Sequence, residues 1–147
     1  MITSIRHIGI VSKNLERSLS FYCDLLGFEV IKRMGESGEY IDRMLVLEGV
    51  KVTTVKMAAS DGNLIELLSF HSHKGEQECE RKLYDIGISH LALTVDDLDY
   101  VYQKLISNGV TFNAPPQPSP DGYAKVTFCM DPDGNFIELV EVLKNNE

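Results

Sequence analysis

The sequence predicts an α+β fold made of two tandem βαβββ modules, and three observations carry that prediction. The heptapeptide DGNLIEL at 61–67 returns as DGNFIEL at 133–139, with six of seven positions identical. A histidine followed by an aliphatic residue opens each half, in IRHI at 5–8 and ISHL at 88–91. Between these marks each half runs from a strand-like stretch through a helical stretch closed by glycine into further strand-like stretches. His7 and His90 lie 83 positions apart and Glu66 and Glu138 lie 72 apart, so the second copy is the first with 11 residues removed between its marks. An internal repeat on this scale means one supersecondary unit used twice.

The first module spans 1–70. Residues 5–11 are β-friendly, and alternation puts Ile8 and Ile10 on one face and His7 and Gly9 on the other. Asn14 is placed to cap a helix reaching about Leu26, with Leu15, Leu19, Tyr22 and Leu26 at helical spacing and Gly27 as the stop. Strands are expected at 28–34, 43–48, 52–58 and 64–70, with the glycine-bearing, charged stretch 35–42 as a loop. Residues 71–85 are polar, lack β-branched runs and read as a connector with up to two helical turns.

The second module, 86–143, follows the same plan. Its opening strand at 88–95 puts His90 and Ala92 on one face and Leu91, Leu93 and Val95 on the other. Asp97 is placed to cap a helix to about Asn108, with Leu98, Val101, Tyr102 and Leu105 as the buried stripe and Gly109 as the stop. A strand begins at 110–112, the four prolines of 114–122 impose a loop, and strands at 125–130 and 136–142 precede a polar tail at 144–147.

By length the 147 residues form one domain, 1–147, with the two modules inside it. A composition 44% hydrophobic and 24% charged is that of an ordinary soluble protein. The net charge of −8, without a basic run, argues against nucleic acid or an anionic membrane as partner. No apolar stretch reaches the length of a membrane span and no signal peptide opens the chain, which sets the expectation of a cytoplasmic protein. Cys23, Cys79 and Cys129 are odd in number and lack CxxC spacing, so they read as reduced thiols.

The carboxylate within each repeated strand is the anomaly. A strand flanked by Leu, Ile, Phe and Val buries at least one face, and an ionised carboxylate taken out of water needs a cation or a metal beside it. A lone strand glutamate ordinarily faces solvent and a lone strand histidine is ordinarily a hydrogen-bonded structural residue, but both occur twice at matching places. His7, Glu66, His90 and Glu138 are therefore the candidate metal ligands. Two imidazoles and two carboxylates without sulfur suit one divalent ion of the Ni, Zn, Co, Mn or Fe kind, with water or substrate oxygens completing the shell. His71 and His73 form an HxH pair, but they fall in the polar connector with no counterpart in the second half and read as solvated.

His7 with the helical LERSLSFYCDLLGF, His90 with LTVDDLD, and the closing DPDGNFIELVEV resemble the vicinal oxygen chelate superfamily over nearly the whole chain. That superfamily groups glyoxalase I, methylmalonyl-CoA epimerase, extradiol dioxygenases, and fosfomycin and bleomycin resistance proteins. The resemblance implies paired βαβββ modules forming a cupped mixed sheet around one metal ion, and a homodimer. Glyoxalase I is similar in using a carboxylate from each copy's last strand, whereas extradiol dioxygenases and fosfomycin enzymes use two histidines and one glutamate, which here would be His7, His90 and Glu138. Epimerases of the methylmalonyl-CoA type are close neighbours, and bleomycin-binding members lack the metal set.

What the resemblance implies about activity is a metal-dependent lyase or isomerase of the lactoylglutathione lyase type, moving a proton beside a carbonyl through a metal-stabilised enediolate. The alternatives are a methylmalonyl-CoA-type epimerase, an Fe(II) extradiol dioxygenase and a non-enzymatic drug-binding protein. Glu138 is the expected base by analogy, with Glu66 the second candidate. The substrate is a small molecule, a glutathione or CoA thioester by the same analogy, and Arg33, Arg43 and Lys125 are the cations available to meet its negative charge.

Overall fold

A computed structural model of the chain describes residues 1–76 and 80–143. The thiol Cys79, the middle of the connector and the tail from residue 144 lie outside the described residues. The chain divides into two compact units, Met1–Glu78 and Cys79–Glu147.

In the first unit, β1 (Ile8–Val11) leads through Asn14 into α1 (Leu15–Leu19). The Asn14 side chain accepts the Arg17 backbone N–H at 3.1 Å, which satisfies one of the donors that a helix start leaves open. The helix widens into a π-helical segment, Ser20–Leu25, and stops where Gly27 adopts φ 82°. β2 (Glu29–Ser37), α2 (Glu39–Leu45), β3 (Lys51–Ala58) and β4 (Leu64–Phe70) follow, and the sheet order is β1-β4-β3-β2. β1 is parallel to β4 and the other neighbours are antiparallel.

The two faces of this sheet differ. Val55, Met57, Ile65 and Leu67 are buried on one, beneath Leu15, Phe21, Tyr22 and Phe28, and the Cys23 thiol meets Met57 Sδ at 3.7 Å across that boundary. Phe21, Tyr22 and Phe28 pack edge to face. Strand alternation sends Glu66, Leu68 and Phe70 to the other face, where α2 covers one end through a cluster of Ile41, Val50 and Val52 packed with Leu68 and Phe70.

The helix α2 corrects two expectations, since 35–42 is not a loop and 43–48 is not a strand. β2 runs on to Ser37, and residues 39–45 coil because Ile41 finds an apolar seat and the Asp42 carboxylate accepts the backbone N–H groups of Gly49 and Val50 at 2.9 and 2.8 Å. Arg43 pairs with Glu39 one turn away. The aliphatic run Met44–Leu45–Val46–Leu47 imitates a strand, yet it is largely exposed and ends the helix in the left-handed conformation at Val46.

The second unit repeats the plan without that extra helix. β5 (His90–Thr94), α3 (Leu98–Ser107), β6 (Gln117–Pro118), β7 (Ala124–Met130) and β8 (Phe136–Val142) form a sheet of order β5-β8-β7-β6. Asp97 caps α3 by accepting the Tyr100 N–H at 2.9 Å, as its position predicts. Leu98 and Leu105 are fully buried, as are Cys129, Ile137 and Leu139 of the strands, whereas Val101 and Tyr102 of the expected stripe are only half-buried. The expected strand at 110–112 is reduced to a single bridge between Phe112 and Cys129, and the proline-rich segment contributes the two-residue β6. No helix forms in the described part of the connector. Among the described residues no helix is long and apolar enough to cross a membrane.

Candidate functional site

Each unit brings its own histidine to its own glutamate. His7, immediately before β1, shares a face with Gly9, and Gly9 pairs in register with Glu66 on β4. His7 Nε2 lies 3.6 Å from Glu66 Oε1, with the two side chains 29% and 13% exposed. In the second unit Ala92 pairs with Glu138, and His90 Nε2 lies 3.1 Å from Glu138 Oε2. The parallel pairing of first and last strands produces this juxtaposition, because it sets a residue near the start of one strand beside a residue in the middle of the other. Among the described residues the grouping stops at pairs, and no three His, Cys, Asp or Glu side chains are gathered as a metal cluster.

The pairs are tested against a cation by spacing and by donor chemistry. Ligand atoms about 2.1 Å from an ion and at right angles to each other are about 3 Å apart, a spacing that the His90–Glu138 pair matches at 3.1 Å and the His7–Glu66 pair exceeds at 3.6 Å. The other ring nitrogen of His7, Nδ1, is buried without a hydrogen-bond partner. His90 differs, its Nδ1 being 3.1 Å from Ser89 Oγ. Neutral imidazole and carboxylate are an ordinary ligand set for the first-row divalent ions named above.

The sequence-predicted cations stand elsewhere. Arg33 is in register with buried Val55, on the helix-covered face, and forms a 2.8 Å ion pair with Glu16 of α1. Arg43 is paired with Glu39 in solvent on α2. Lys125 lies on the α3 side of its sheet, 2.7 Å from Asp99 and 3.5 Å from Glu141, and the Asp99 carboxylate holds its ammonium above the usual lysine value. All three charges are thus committed to structural partners, Arg33 and Lys125 on the faces opposite the glutamates and Arg43 on the exposed side of α2. His71 is likewise structural, its Nε2 lying 2.8 Å from Thr53 Oγ1, and His73 Nδ1 is 2.8 Å from Ser72 Oγ.

Two other lysines occupy the face that carries Glu66. A row in register crosses the first sheet from Gly9 through Glu66 and Lys56 to Lys32, and Lys56 Nζ lies 3.6 Å from Glu66 Oε2. The sequence contains a signal for Lys56. Counting equally outward from the turn residue Asp61 pairs Lys56 with Glu66, and counting from Asp133 pairs Phe128 with Glu138, as the observed registers have it. The second sheet therefore presents an aromatic ring where the first presents an ammonium, and Phe128 stands edge-on to His90 with 5.2 Å between ring centroids.

Residues 4–139 match the model of the Glyoxalase/Bleomycin resistance protein/Dioxygenase superfamily. The chain is 31% identical over 143 residues to the uncharacterized protein YwkD of Bacillus subtilis, covering 96% of this chain and 98% of that one. It is 30% identical over 138 residues to a probable lactoylglutathione lyase of Synechocystis, covering 92% of each. The fold superposes on a glyoxalase family protein of Bacillus cereus with a TM-score of 0.90 at 21% identity, over 98% of this chain and 97% of the other. With its sheets, its repeated His–Glu pairs and these likenesses in agreement, the chain belongs to the Glyoxalase/Bleomycin resistance protein/Dioxygenase superfamily, the vicinal oxygen chelate proteins.

Proposed function

We propose that the chain is a metal-dependent lyase or isomerase of the lactoylglutathione lyase type, with His7, Glu66, His90 and Glu138 as the ligands of one divalent ion. The observation that carries this reading is the repeated pair, an imidazole Nε2 within 3.6 Å of a carboxylate oxygen in one unit and within 3.1 Å in the other, each on a half-open sheet face. The probable lactoylglutathione lyase of Synechocystis supports it by likeness. When bound, a divalent ion supplies Lewis acidity to a substrate carbonyl and lowers the cost of removing the neighbouring proton. His7 and His90 turn their Nε2 atoms to the glutamates and would stay in place as donors. One glutamate oxygen takes the proton beside the carbonyl and returns it to the adjacent carbon, for which Glu138 is the leading residue and Glu66 the second. The substrate in this reading is a glutathione or CoA adduct, and the working form is a homodimer, which sedimentation tests.

The test is turnover of the hemithioacetal of methylglyoxal and glutathione, followed by thioester absorbance, alongside divalent-metal affinity. Loss of the base lowers kcat by roughly 10²- to 10⁴-fold, so Glu138→Gln is expected to fall in that range and Glu66→Gln to lose metal affinity. Intact affinity and turnover in Glu66→Gln would sink the lyase reading. One observation favours a second reading: Glu66 already has a cation beside it in Lys56. If that pair withholds Glu66 from a metal, the ligand set contracts to His7, His90 and Glu138, the dioxygenase pattern, and catechol cleavage with Fe(II) becomes the activity to assay.

A further inference from the structure

Glu66 and Glu138 are equivalent in the sequence repeat and unequal in their surroundings. The two oxygens of Glu66 are divided between partners, Oε1 facing His7 Nε2 and Oε2 facing Lys56 Nζ, each at 3.6 Å. Lys56 is the in-register neighbour of Glu66 on β3, so strand pairing and not side-chain chance brings the ammonium there. The glutamate is 13% and the lysine 31% exposed, which screens the pair less than a surface ion pair. Glu138 has Phe128 at that place, and among the described residues its one ion-pair partner is His90.

The geometry points to Lys56 as the positioning residue of Glu66. Its charge draws Oε2, so that Glu66 turns Oε1 toward His7, whereas Glu138 has no ammonium opposite it in register and keeps only the His90 contact at 3.1 Å. This rests on the reading above, in which both glutamates serve a divalent ion. The physical reason is orientational. A carboxylate rotates about its terminal torsion, and a positive charge 3.6 Å from one oxygen biases that rotation, turning Oε2 to Lys56 and Oε1 to His7. Partners that orient a metal ligand contribute about 10- to 100-fold to metal affinity.

The experiment is chelator competition for Zn²⁺ and Co²⁺ on the full chain, comparing wild type with Lys56→Met and Lys56→Arg, and the visible spectrum of the Co²⁺ forms. Lys56→Met is expected to weaken binding about 10- to 100-fold and to change the Co²⁺ spectrum, and Lys56→Arg, which keeps the positive charge beside Oε2, to restore most of both. Lys56→Leu, which likewise has neither charge nor donor, replaces the Met variant if that one fails to fold. Metal-free melting measured beside these variants separates loss of the tether from loss of the fold. Equal or tighter binding by a folded Lys56→Met overturns the tether alone and makes the lysine a competitor of the metal for Glu66. Failure of the wild type to take up either ion refutes the metal reading, and the tether with it.

Discussion

Val46 ends α2 at φ 56°, ψ 45°, and it is the one non-glycine residue with positive φ among the described residues. The left-handed conformation costs an L-residue roughly 1–2 kcal/mol, and β-branching puts valine at the upper end. Its side chain is 87% exposed, so removing it sacrifices almost no buried apolar surface. Glycine abolishes the steric cost and widens the unfolded ensemble, the second effect opposing the first by about 0.5–1 kcal/mol. Val46→Gly is therefore expected to stabilise the protein by about 1–1.5 kcal/mol, raising Tm by about 2–6 °C, although it removes a large apolar side chain. Val46→Ala keeps the Cβ and most of the penalty, and serves as the control that stays near wild type. Thermal and urea unfolding followed by circular dichroism measure both. A lower Tm for Val46→Gly, or an equal rise for Val46→Ala, refutes strain at this residue as the cause.

The other consequences are more local. Asp42→Ala removes the acceptor of two backbone N–H groups, Gly49 and Val50, the second beside a fully buried side chain, and is expected to cost about 2–3 kcal/mol in urea unfolding; a change below about 0.5 kcal/mol would leave α2 held by other contacts. Burial, helped by the Asp131 carboxylate, pushes the Cys129 thiol up to about 12 from 9.0. Iodoacetamide at pH 8 should leave it unmodified in the folded protein and label it in urea, as read by mass spectrometry, and rapid labelling of the native chain would contradict its burial. Because its folded value lies above its unfolded one, the linked stability is fully present below pH 9 and drains away between about pH 9 and pH 12; a flat unfolding midpoint across that window would show that the thiol does not titrate with the fold.

Much of this molecule is legible before any folding is considered. The two copies of DGN(L/F)IEL, the caps Asn14 and Asp97 and the stops Gly27 and Gly109 all act within a few residues of themselves, and each sits where local rules put it. Alternation along β1, β4, β5 and β8 places each histidine on the same face as its glutamate, because strand period two is a property of the backbone. What went unread was decided by partners distant in sequence. The strand expected at 43–48 is a helix and a left-handed turn because Ile41 has an apolar seat on Val52, Leu68 and Phe70. The charges of Arg33 and Lys125 are taken by Glu16 and by Asp99 and Glu141, residues of other elements.

The sequence by itself determined the duplicated strand-helix plan and that each copy carries one histidine and one glutamate at matching places, since both follow from patterns that repeat along the chain. Counting outward from each turn gives the registers that set Lys56 opposite Glu66 and Phe128 opposite Glu138, and the tertiary structure alone decided how near each side chain comes to its carboxylate and which other groups share it. Strand pairing joins residues through space, and the charge it brings beside a carboxylate is what makes two like residues unlike.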